Sequence, residues 1–324
     1  DALVEMRKVG LRLQQLERLR DEKKGYTHDA FAEWLAGIFF AEDGDGNATM
    51  VSARRALEGY REYEELFGVP APRAFLIDFV QWARRFGFSE EAAPLIEEHP
   101  WLDEAARPLG RDEGEVVLLY ESGFVDHLEE AALSFPILKS DRDRSDAEIA
   151  YVMTRRGPRG VYVAPRDVTI DYWLRVALPT MVETTPQLRS ARLVADSLEV
   201  ETEVAEDVSA IARLTFAEGE GKRLLKTLLR ALAKWKLTKT AQKEGSFAGF
   251  LANVTAAATE RADTRSWTTL PDAVSVATLR LPAGVHTVRV ECLDARGRVG
   301  QTATFEQVVV APGERTLLRH RTYR

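Results

Sequence analysis

Apolar side chains recur every three or four positions through the first hundred residues, which is the spacing that places them on one face of an α-helix. The stretches with this pattern cover residues 1–23, 30–40 and 48–66. The second and third stretches are separated by Asp43–Asn47, a run of small and polar residues that is typical of a loop. The pattern therefore predicts a helical hairpin. Further helices are expected from Pro72 to Phe86 and from Ser89 to a stop at Pro100.

From Glu115 onward the apolar positions recur every second residue or form short continuous runs, which is typical of β-strands. The predicted strands cover residues 116–120, 132–138, 161–163, 168–177, 190–195 and 198–204. A helical pattern then interrupts the strands. Turn residues separate the last four predicted strands, so we expect a closing meander over 274–281, 285–293, 302–310 and 316–323.

These elements predict an α+β protein with two domains. Helical hairpins occupy residues 1–109, and a β-rich, sandwich-like domain occupies residues 110–324 with a helical insertion at about 206–261. The polar stretch 107–114 marks the expected boundary.

The helical hairpin resembles a tetratricopeptide repeat. The resemblance rests on the spacing of Gly37, Phe40, Gly44 and Ala56. It implies that Gly37 and Ala56 lie where paired helices approach closely, with Phe40 filling the gap between them. In the same register, Ala2, Met6 and Val9 match the second helix of a preceding repeat, so we expect the chain to begin within a repeat.

The β-rich part carries two further resemblances. Residues 281–288 resemble the turn of small β-sandwich modules, of the Pro-Glu-Gly-Ala type, in bacterial surface proteins. More widely, the chain resembles a family of bacterial cell-envelope proteins, often lipoproteins. The segments that carry this likeness are 114–123, the basic helix after Ala217, 257–260 and, most specifically, 262–271. The resemblance implies a periplasmic protein near the outer membrane, beside lipoproteins that regulate peptidoglycan synthesis, and leaves the anchor itself open.

Composition and motifs indicate binding more than catalysis. The net charge of −7 argues against general nucleic-acid binding. Asp43–Asn47 imitates the start of an EF-hand, but Ala48 and Arg54 stand where that loop needs Gly and Glu. The five histidines have no metal-ligand spacing, and no nucleotide-binding or nucleophile motif is present. We therefore expect no catalytic residue, cofactor or metal. An acid/base pair is left open among Glu121, Asp126, Glu129 and Glu130.

The single Cys292 alternates with Val290 and Val288, which predicts an unreactive thiol in a sheet core.

Two basic segments are the candidate surfaces for an anionic partner. In the predicted helix after Gly221, cations recur every four residues at Lys222, Lys226, Arg230 and Lys234. A predicted loop carries Arg155, Arg156 and Arg159. Glu199, Glu201 and Glu203 should share one face of a strand and could neutralise the helix internally. Membrane headgroups, an acidic protein or a wall polymer are the external alternatives.

The segment 262–271 is expected to form a structural corner, with Trp267 buried and with Asp263 and Arg265 fixing it through polar contacts. Together these features favour a non-enzymatic scaffold of the cell envelope that binds partner proteins. The alternative is a peptidoglycan-binding protein, an envelope enzyme or a regulator of peptidoglycan synthesis.

Overall fold

The computed structural model describes residues 28–138, 151–154, 157–159, 170–218 and 262–323. It divides the chain into two compact units. The first unit comprises Asp1–Val125, Thr184–Ala212 and Thr269–Arg324, and the second comprises Asp126–Glu183 and Arg213–Thr268. The helix predicted over 1–23, the strand predicted over 161–163 and the basic helix after Gly221 lie outside the described residues.

The described part of the chain is a mixed α+β protein in which the helices of residues 30–105 precede the strands. The helices are α1 Ala30–Glu42, α2 Gly46–Phe67, α3 Arg73–Arg85, α4 Ser89–Glu98 and α5 Leu102–Ala105. The carboxylates of Asp29 and Asp45 cap α1 and α2 by accepting hydrogen bonds from backbone N–H groups three residues later, at 2.8 and 3.0 Å. The helices predicted from the apolar spacing after residue 28 are therefore confirmed.

Aromatic side chains fill the space among the first three helices. Trp34, Tyr60 and Phe75 are buried, and the ring of Phe75 lies 5.8 Å from that of Trp34 and 5.0 Å from that of Tyr60. Gly37 is a point of close approach, because a Cβ there would lie 2.9 Å from the indole of Trp82. The small residue thus accommodates α3, whereas the sequence predicted that it would accommodate the partner helix of the hairpin.

The first unit contains two four-stranded sheets. The first sheet has the order β12-β1-β9-β8, with β1 Glu113–Ser122, β8 Glu203–Asp207, β9 Ala273–Pro282 and β12 Arg315–Thr322. The second sheet has the order β11-β10-β6-β7, with β6 Leu188–Ala195, β7 Leu198–Glu201, β10 Gly284–Asp294 and β11 Val299–Val310. Strands β1 and β12 are parallel, and the other pairs in both sheets are antiparallel.

The closing four strands do not form the predicted meander. Strand β9 lies in the first sheet, β10 and β11 pair in the second, and β12 returns to the first sheet beside β1. The turn residues between these strands were recognised correctly. Only β10 and β11 pair as sequence neighbours, because β9 and β12 pair with β1 and β10 also pairs with β6, all from earlier in the chain.

Strand β1 is central to the first unit, since both of its faces are covered. Val116 and Leu118 pack with residues of the second sheet, while Val117 joins the core formed by the helices. Coverage on both faces explains why residues 116–120 form a continuous apolar run instead of alternating. Cys292, Val290 and Val288 are fully buried in the core shared by the two sheets, which confirms the predicted environment of the thiol. Burial raises the pKa of Cys292 to about 11.

The second unit contains a third sheet with the order β4-β3-β2-β5. Its strands are β2 His127–Leu138, β3 Tyr151–Thr154, β4 Gly157–Arg159 and β5 Ile170–Val182. Helix α6 covers residues 208–218, of which 208–212 belong to the first unit and 213–218 to the second. The Asp207 carboxylate accepts a 2.7 Å hydrogen bond from the N–H of Ala210 in the first turn of α6. Within the described ranges, no helix has both the length and the apolar character needed to span a membrane.

Candidate functional site

A buried carboxylate on α3 joins the helices to the first sheet. Asp78 is 4% exposed and accepts hydrogen bonds at Oδ2 from the indole Nε1 of Trp34, at 2.8 Å, and from Nη1 of Arg315, at 3.0 Å. Nη2 of Arg315 donates to the other carboxylate oxygen. Burial raises the pKa of Asp78, and the adjacent guanidinium opposes that rise. The paired charges fix α3 against β12.

A second buried carboxylate extends this network across the sheet. Glu115 is 2% exposed and accepts hydrogen bonds from Nε of Arg315, at 2.8 Å, and from Nε of Arg280, at 3.2 Å. The strand register explains this geometry, because Glu115 lies directly opposite Arg315 on β12 and directly opposite Arg280 on β9. Two carboxylates and two guanidinium groups therefore neutralise one another between the helices and the sheet.

A cleft of about 450 Å³ opens beside this network. The apolar part of its lining comes from Ala74, Ile77, Trp101 and Ala105. The guanidinium of Arg73, at the first turn of α3, stacks 4.1 Å from the centroid of the Trp101 ring. Arg280 also lines the cleft, and its Nη2 is buried without a hydrogen-bond partner among the described residues. The cleft thus combines an apolar wall with the exposed guanidinium of Arg73, whereas Nη2 of Arg280 is enclosed by the protein.

The remaining charges of the cleft are largely paired. Arg107 donates to both carboxylate oxygens of Glu113, at 2.8 and 3.1 Å, and these bonds lower the pKa of Glu113 to about 2. Glu104 lies at the rim and interacts electrostatically with Arg107. At the N-terminus of α3, the backbone N–H of Arg73 donates to Glu203 at 2.5 Å. Among the described residues, the guanidinium of Arg73 and the carboxylate of Glu104 are the two charges of the cleft lining without an ion pair.

The two buried carboxylates behind the cleft are both engaged by arginines. Neither Asp78 nor Glu115 is therefore placed to exchange a proton with a ligand. The described lining of the cleft contains one hydroxyl, that of Thr278, and one exposed carboxylate, that of Glu104, but no Cys, Ser or His. Among the residues that the structure describes, no group of three or more His, Cys, Asp or Glu could hold a metal ion.

A separate pair of acidic groups lies between α1 and β8. Glu206 is located at a β-bulge in β8, and burial together with the nearby charge of Asp29 raises its pKa to about 8. Burial also raises the pKa of Asp29. The hydroxyl of Tyr60 is near both groups and has no hydrogen-bond partner among the described residues. A raised pKa means that Glu206 holds its proton more tightly than a free carboxyl group, which reduces the repulsion between the two half-buried groups.

The predicted corner at 262–271 differs from expectation. Trp267 is 72% exposed, so the prediction that it is buried is wrong. Arg265 donates to both carboxylate oxygens of Asp263, at 2.8 Å each, and both side chains are exposed. Their pairing is local and lowers the pKa of Asp263 to about 2. Because the segment satisfies its own charged groups, these contacts do not require the indole to dock in the core.

The glutamates predicted to share one face belong to two different sheets. Glu199 and Glu201 lie on β7 in the second sheet, where Arg192 on β6 approaches them at 3.9 and 2.9 Å. The chain then crosses at Thr202, and Glu203 begins β8 in the first sheet, where it binds the backbone N–H of Arg73. Alternation in the sequence does not reveal this crossing.

The predicted basic surfaces are mostly outside the described residues. Lys222, Lys226, Arg230 and Lys234 lie there, as do Arg155 and Arg156. Arg159 is in β4, so the structure places its backbone in a strand instead of a loop. Neutralisation of the basic helix by the glutamates therefore stays a prediction, although Arg192 and the N-terminus of α3 already engage those three carboxylates.

The four carboxylates considered for acid/base chemistry are divided between the two units, and each contacts another group. In the first unit, Glu121 accepts bonds of 2.6 and 2.9 Å from Arg319. In the second unit, Asp126 is 2% exposed and is held by Arg213 at 2.5 Å, while Glu130 accepts a 2.9 Å bond from the N–H of Ala262. Glu129 lies 3.6 Å from His127.

Sequence reasoning missed the Asp78 network and the cleft. One signal was available, because Asp78 falls on the apolar face of its helix together with Phe75, Phe79 and Trp82. A charged residue at such a position requires a buried partner. The sequence gives no indication that this partner is Arg315, which lies 237 positions away.

Comparison with known proteins leaves the fold and the cleft as the basis for assigning a function. No protein-family model, no curated protein and no solved structure matches this chain.

Proposed function

We propose that this protein is a non-enzymatic adaptor that holds a partner protein within a larger assembly. The observation that carries the proposal is the cleft, with its volume of about 450 Å³, its apolar wall and the exposed guanidinium of Arg73 against the Trp101 ring. A concave site with apolar walls and a few convergent polar groups is typical of ligand recognition. The buried charge network behind the cleft holds its walls in place, which limits the entropy lost on binding.

The proposal extends to location and finer architecture. The helices act as tetratricopeptide-like hairpins, and the two sheets of the first unit form a sandwich-like module that docks the protein in its assembly. The setting is the periplasm near the outer membrane, which rests on the resemblance of residues 114–123 and 262–271 to envelope proteins. Contact of the basic helix with a membrane surface belongs to the same proposal.

Site-specific photocrosslinking tests the adaptor function. A photoreactive amino acid is placed at Glu104 on the rim of the cleft, and a matched variant carries it at Arg61, an exposed position on α2 outside the cleft lining. After irradiation in cells that express the protein, we expect a protein adduct of defined mass from position 104 and none of that mass from position 61. Equal adducts from both positions, or none from either, would contradict the proposal.

The rival function is direct recognition of peptidoglycan, and the same cleft could receive a carboxylate of the wall. Co-sedimentation with purified sacculi tests it. Binding to sacculi that is lost in Arg73→Gln, together with no protein adduct at position 104, would favour the wall-binding protein over the adaptor. Release of soluble wall fragments during the incubation would favour an enzyme.

A further inference from the structure

His320 lies where the outer strands of the two sheets of the first unit meet. It belongs to β12, the edge strand of the first sheet, and its side chain is half-buried. Its ring stacks on that of Tyr120 of β1, with the ring centroids 6.4 Å apart, and meets the ring of Phe305 edge-on at 6.5 Å. Phe305 belongs to β11, the edge strand of the second sheet. The imidazole therefore connects the two edge strands through ring packing.

The buried nitrogen of this ring has no hydrogen-bond partner. Nε2 of His320 is enclosed by the protein and meets no donor or acceptor among the described residues. A neutral imidazole carries a hydrogen on one nitrogen only, so the enclosed nitrogen can be the bare one. An imidazolium carries a hydrogen on each nitrogen, and one of them would be buried together with its charge and without an acceptor. Burial accordingly lowers the pKa of His320.

The other four histidines each have a carboxylate beside the ring. The distances from a ring nitrogen to the carboxylate oxygen are 3.8, 3.9, 3.6 and 3.1 Å at His28, His99, His127 and His286, respectively. No carboxylate of the described residues contributes to the protonation of His320 in this way. A proton gained by one of the four rings would thus have a negative charge nearby, whereas a proton gained by His320 would not.

The groups around His320 do not offer a negative charge to an imidazolium. The titratable and charged groups on the surrounding strands are Tyr120 and Glu121 of β1, Cys292 of β10, Glu306 of β11, and Arg319 and Arg321 of β12. Burial raises the pKa of Tyr120 to about 12 and that of Cys292 to about 11, so both are uncharged at neutral pH. Glu121 is already paired with both arginines, at 2.6 and 3.7 Å, and Glu306 is exposed.

We propose that His320 is an acid-sensitive latch between the two edge strands. With the imidazole neutral, the ring stays between Tyr120 and Phe305, and the end of β12 lies closed over β11. When His320 gains a proton, the imidazolium turns towards water and the end of β12 loosens, including the 2.9 Å hydrogen bond between the hydroxyls of Tyr120 and Thr322. The core around Cys292, which contacts Tyr120, then becomes accessible from this side.

The direction of the effect follows from the lowered pKa. The loosened state binds the proton more readily than the closed state, so closure should weaken as the pH falls below the ordinary value of 6.5. Glu206 cannot mimic this behaviour, because its raised pKa strengthens the fold as the pH falls.

The single thiol of the chain reports the loosening. Cys292 is fully buried in the core that the latch closes. Its reaction with 4,4′-dithiodipyridine is timed in the whole protein from about pH 7.5 to about pH 5, the range in which imidazole titrates. The rate at each pH is divided by that of the urea-unfolded protein, which removes the intrinsic pH dependence of the thiol. We expect this ratio to rise by at least about three-fold towards pH 5 in wild type.

Variants assign the rise to His320. His320→Phe keeps an aromatic ring on β12 that cannot gain a proton, so its ratio should stay level. His320→Gln is a second variant without a titrating ring. The matched control is His286→Gln, because the ring nitrogens of His286 both face acceptors, Oδ2 of Asp196 at 3.1 Å and the carbonyl of Pro282 at 2.8 Å. Its ratio should still rise towards pH 5.

Three outcomes would overturn the latch. One is a wild-type ratio that stays level from neutral to mildly acidic pH. Another is an equal rise in His320→Phe and in wild type, because a different group would then drive the loosening. The third is a rise that His286→Gln abolishes as fully as His320→Phe does. If neither variant at position 320 folds, NMR titration of the His320 ring in wild type decides: a midpoint below 6.5 is expected, and a midpoint at or above 6.5 overturns the proposal.

Discussion

Removing Arg315 should destabilise the protein far more than removing a comparable arginine on the same strand. Arg315 is 13% exposed and neutralises both Asp78 and Glu115. Breaking a buried ion pair from one side costs about 3–5 kcal/mol, because the remaining charge stays buried. In Arg315→Gln, Asp78 loses its guanidinium partner while Glu115 keeps Arg280. We therefore expect a loss of about 4 kcal/mol in the free energy of unfolding.

Two further variants provide comparisons for the loss of stability expected in Arg315→Gln. Arg319 is on the same strand and pairs with Glu121 of β1, but its side chain is 66% exposed, so Arg319→Gln should cost about 0–1 kcal/mol. Asp78→Asn should cost about 2–3 kcal/mol, less than Arg315→Gln, because Arg315 keeps Glu115 and the amide oxygen can still accept from Trp34.

The assay is urea unfolding followed by far-UV circular dichroism and by tryptophan fluorescence. Coincident transitions from the two probes are needed before free energies are compared, because the chain contains two compact units. Equal losses in Arg315→Gln and Arg319→Gln would refute the reasoning. An Asp78→Asn variant as stable as wild type would show that the buried charge is not held by the contacts described.

Three other perturbations test separate parts of the structure. The folded-state pKa of Glu206 is raised from 4.5 to about 8, so the folded state binds the proton more tightly than the unfolded state. The free energy of unfolding should therefore fall as the pH rises from about 4.5 to about 8. In Glu206→Gln, the urea midpoint should decline less over the same pH range. Gly37→Leu should cost about 1–3 kcal/mol by overpacking against Trp82, and Trp82→Phe should recover part of the lost melting temperature if that contact is responsible. Trp267→Ala should change stability by less than about 0.5 kcal/mol because the side chain is 72% exposed, and a large drop in melting temperature would show that the indole is structural.

The sequence predicts the local elements well because their causes are local. Helices α1 and α2 follow from apolar spacing and from Asp29 and Asp45 at their starts, and residues 116–120 form a strand as expected. The periodicity of residues 198–204 also predicts strand structure correctly. It does not predict the break at Thr202, since the crossing between sheets is decided by pairing with β6 and β9, far away in sequence.

The candidate site depends on contacts that no local pattern contains. Asp78 can be recognised from the sequence as a charged residue on the apolar face of a helix. The sequence around Glu115 and Arg280 predicts strands but does not distinguish these two residues from exposed polar positions. The strand register determines their role, because it places Arg315, Glu115 and Arg280 side by side on three neighbouring strands. Trp267 shows the opposite error, because a large aromatic residue in a distinctive motif suggested a core position that the structure does not give it.

The parallel pairing of β12 with β1 has a consequence for the order in which the protein acquires its structure during synthesis. Asp78 leaves the ribosome 237 residues before Arg315, which at about 5–20 residues per second corresponds to a delay of roughly 10–50 s. Throughout this interval Asp78 lacks the guanidinium that accompanies it into the interior of the folded protein. We therefore expect the core between the helices and the first sheet to be completed only after the last strand has been synthesised.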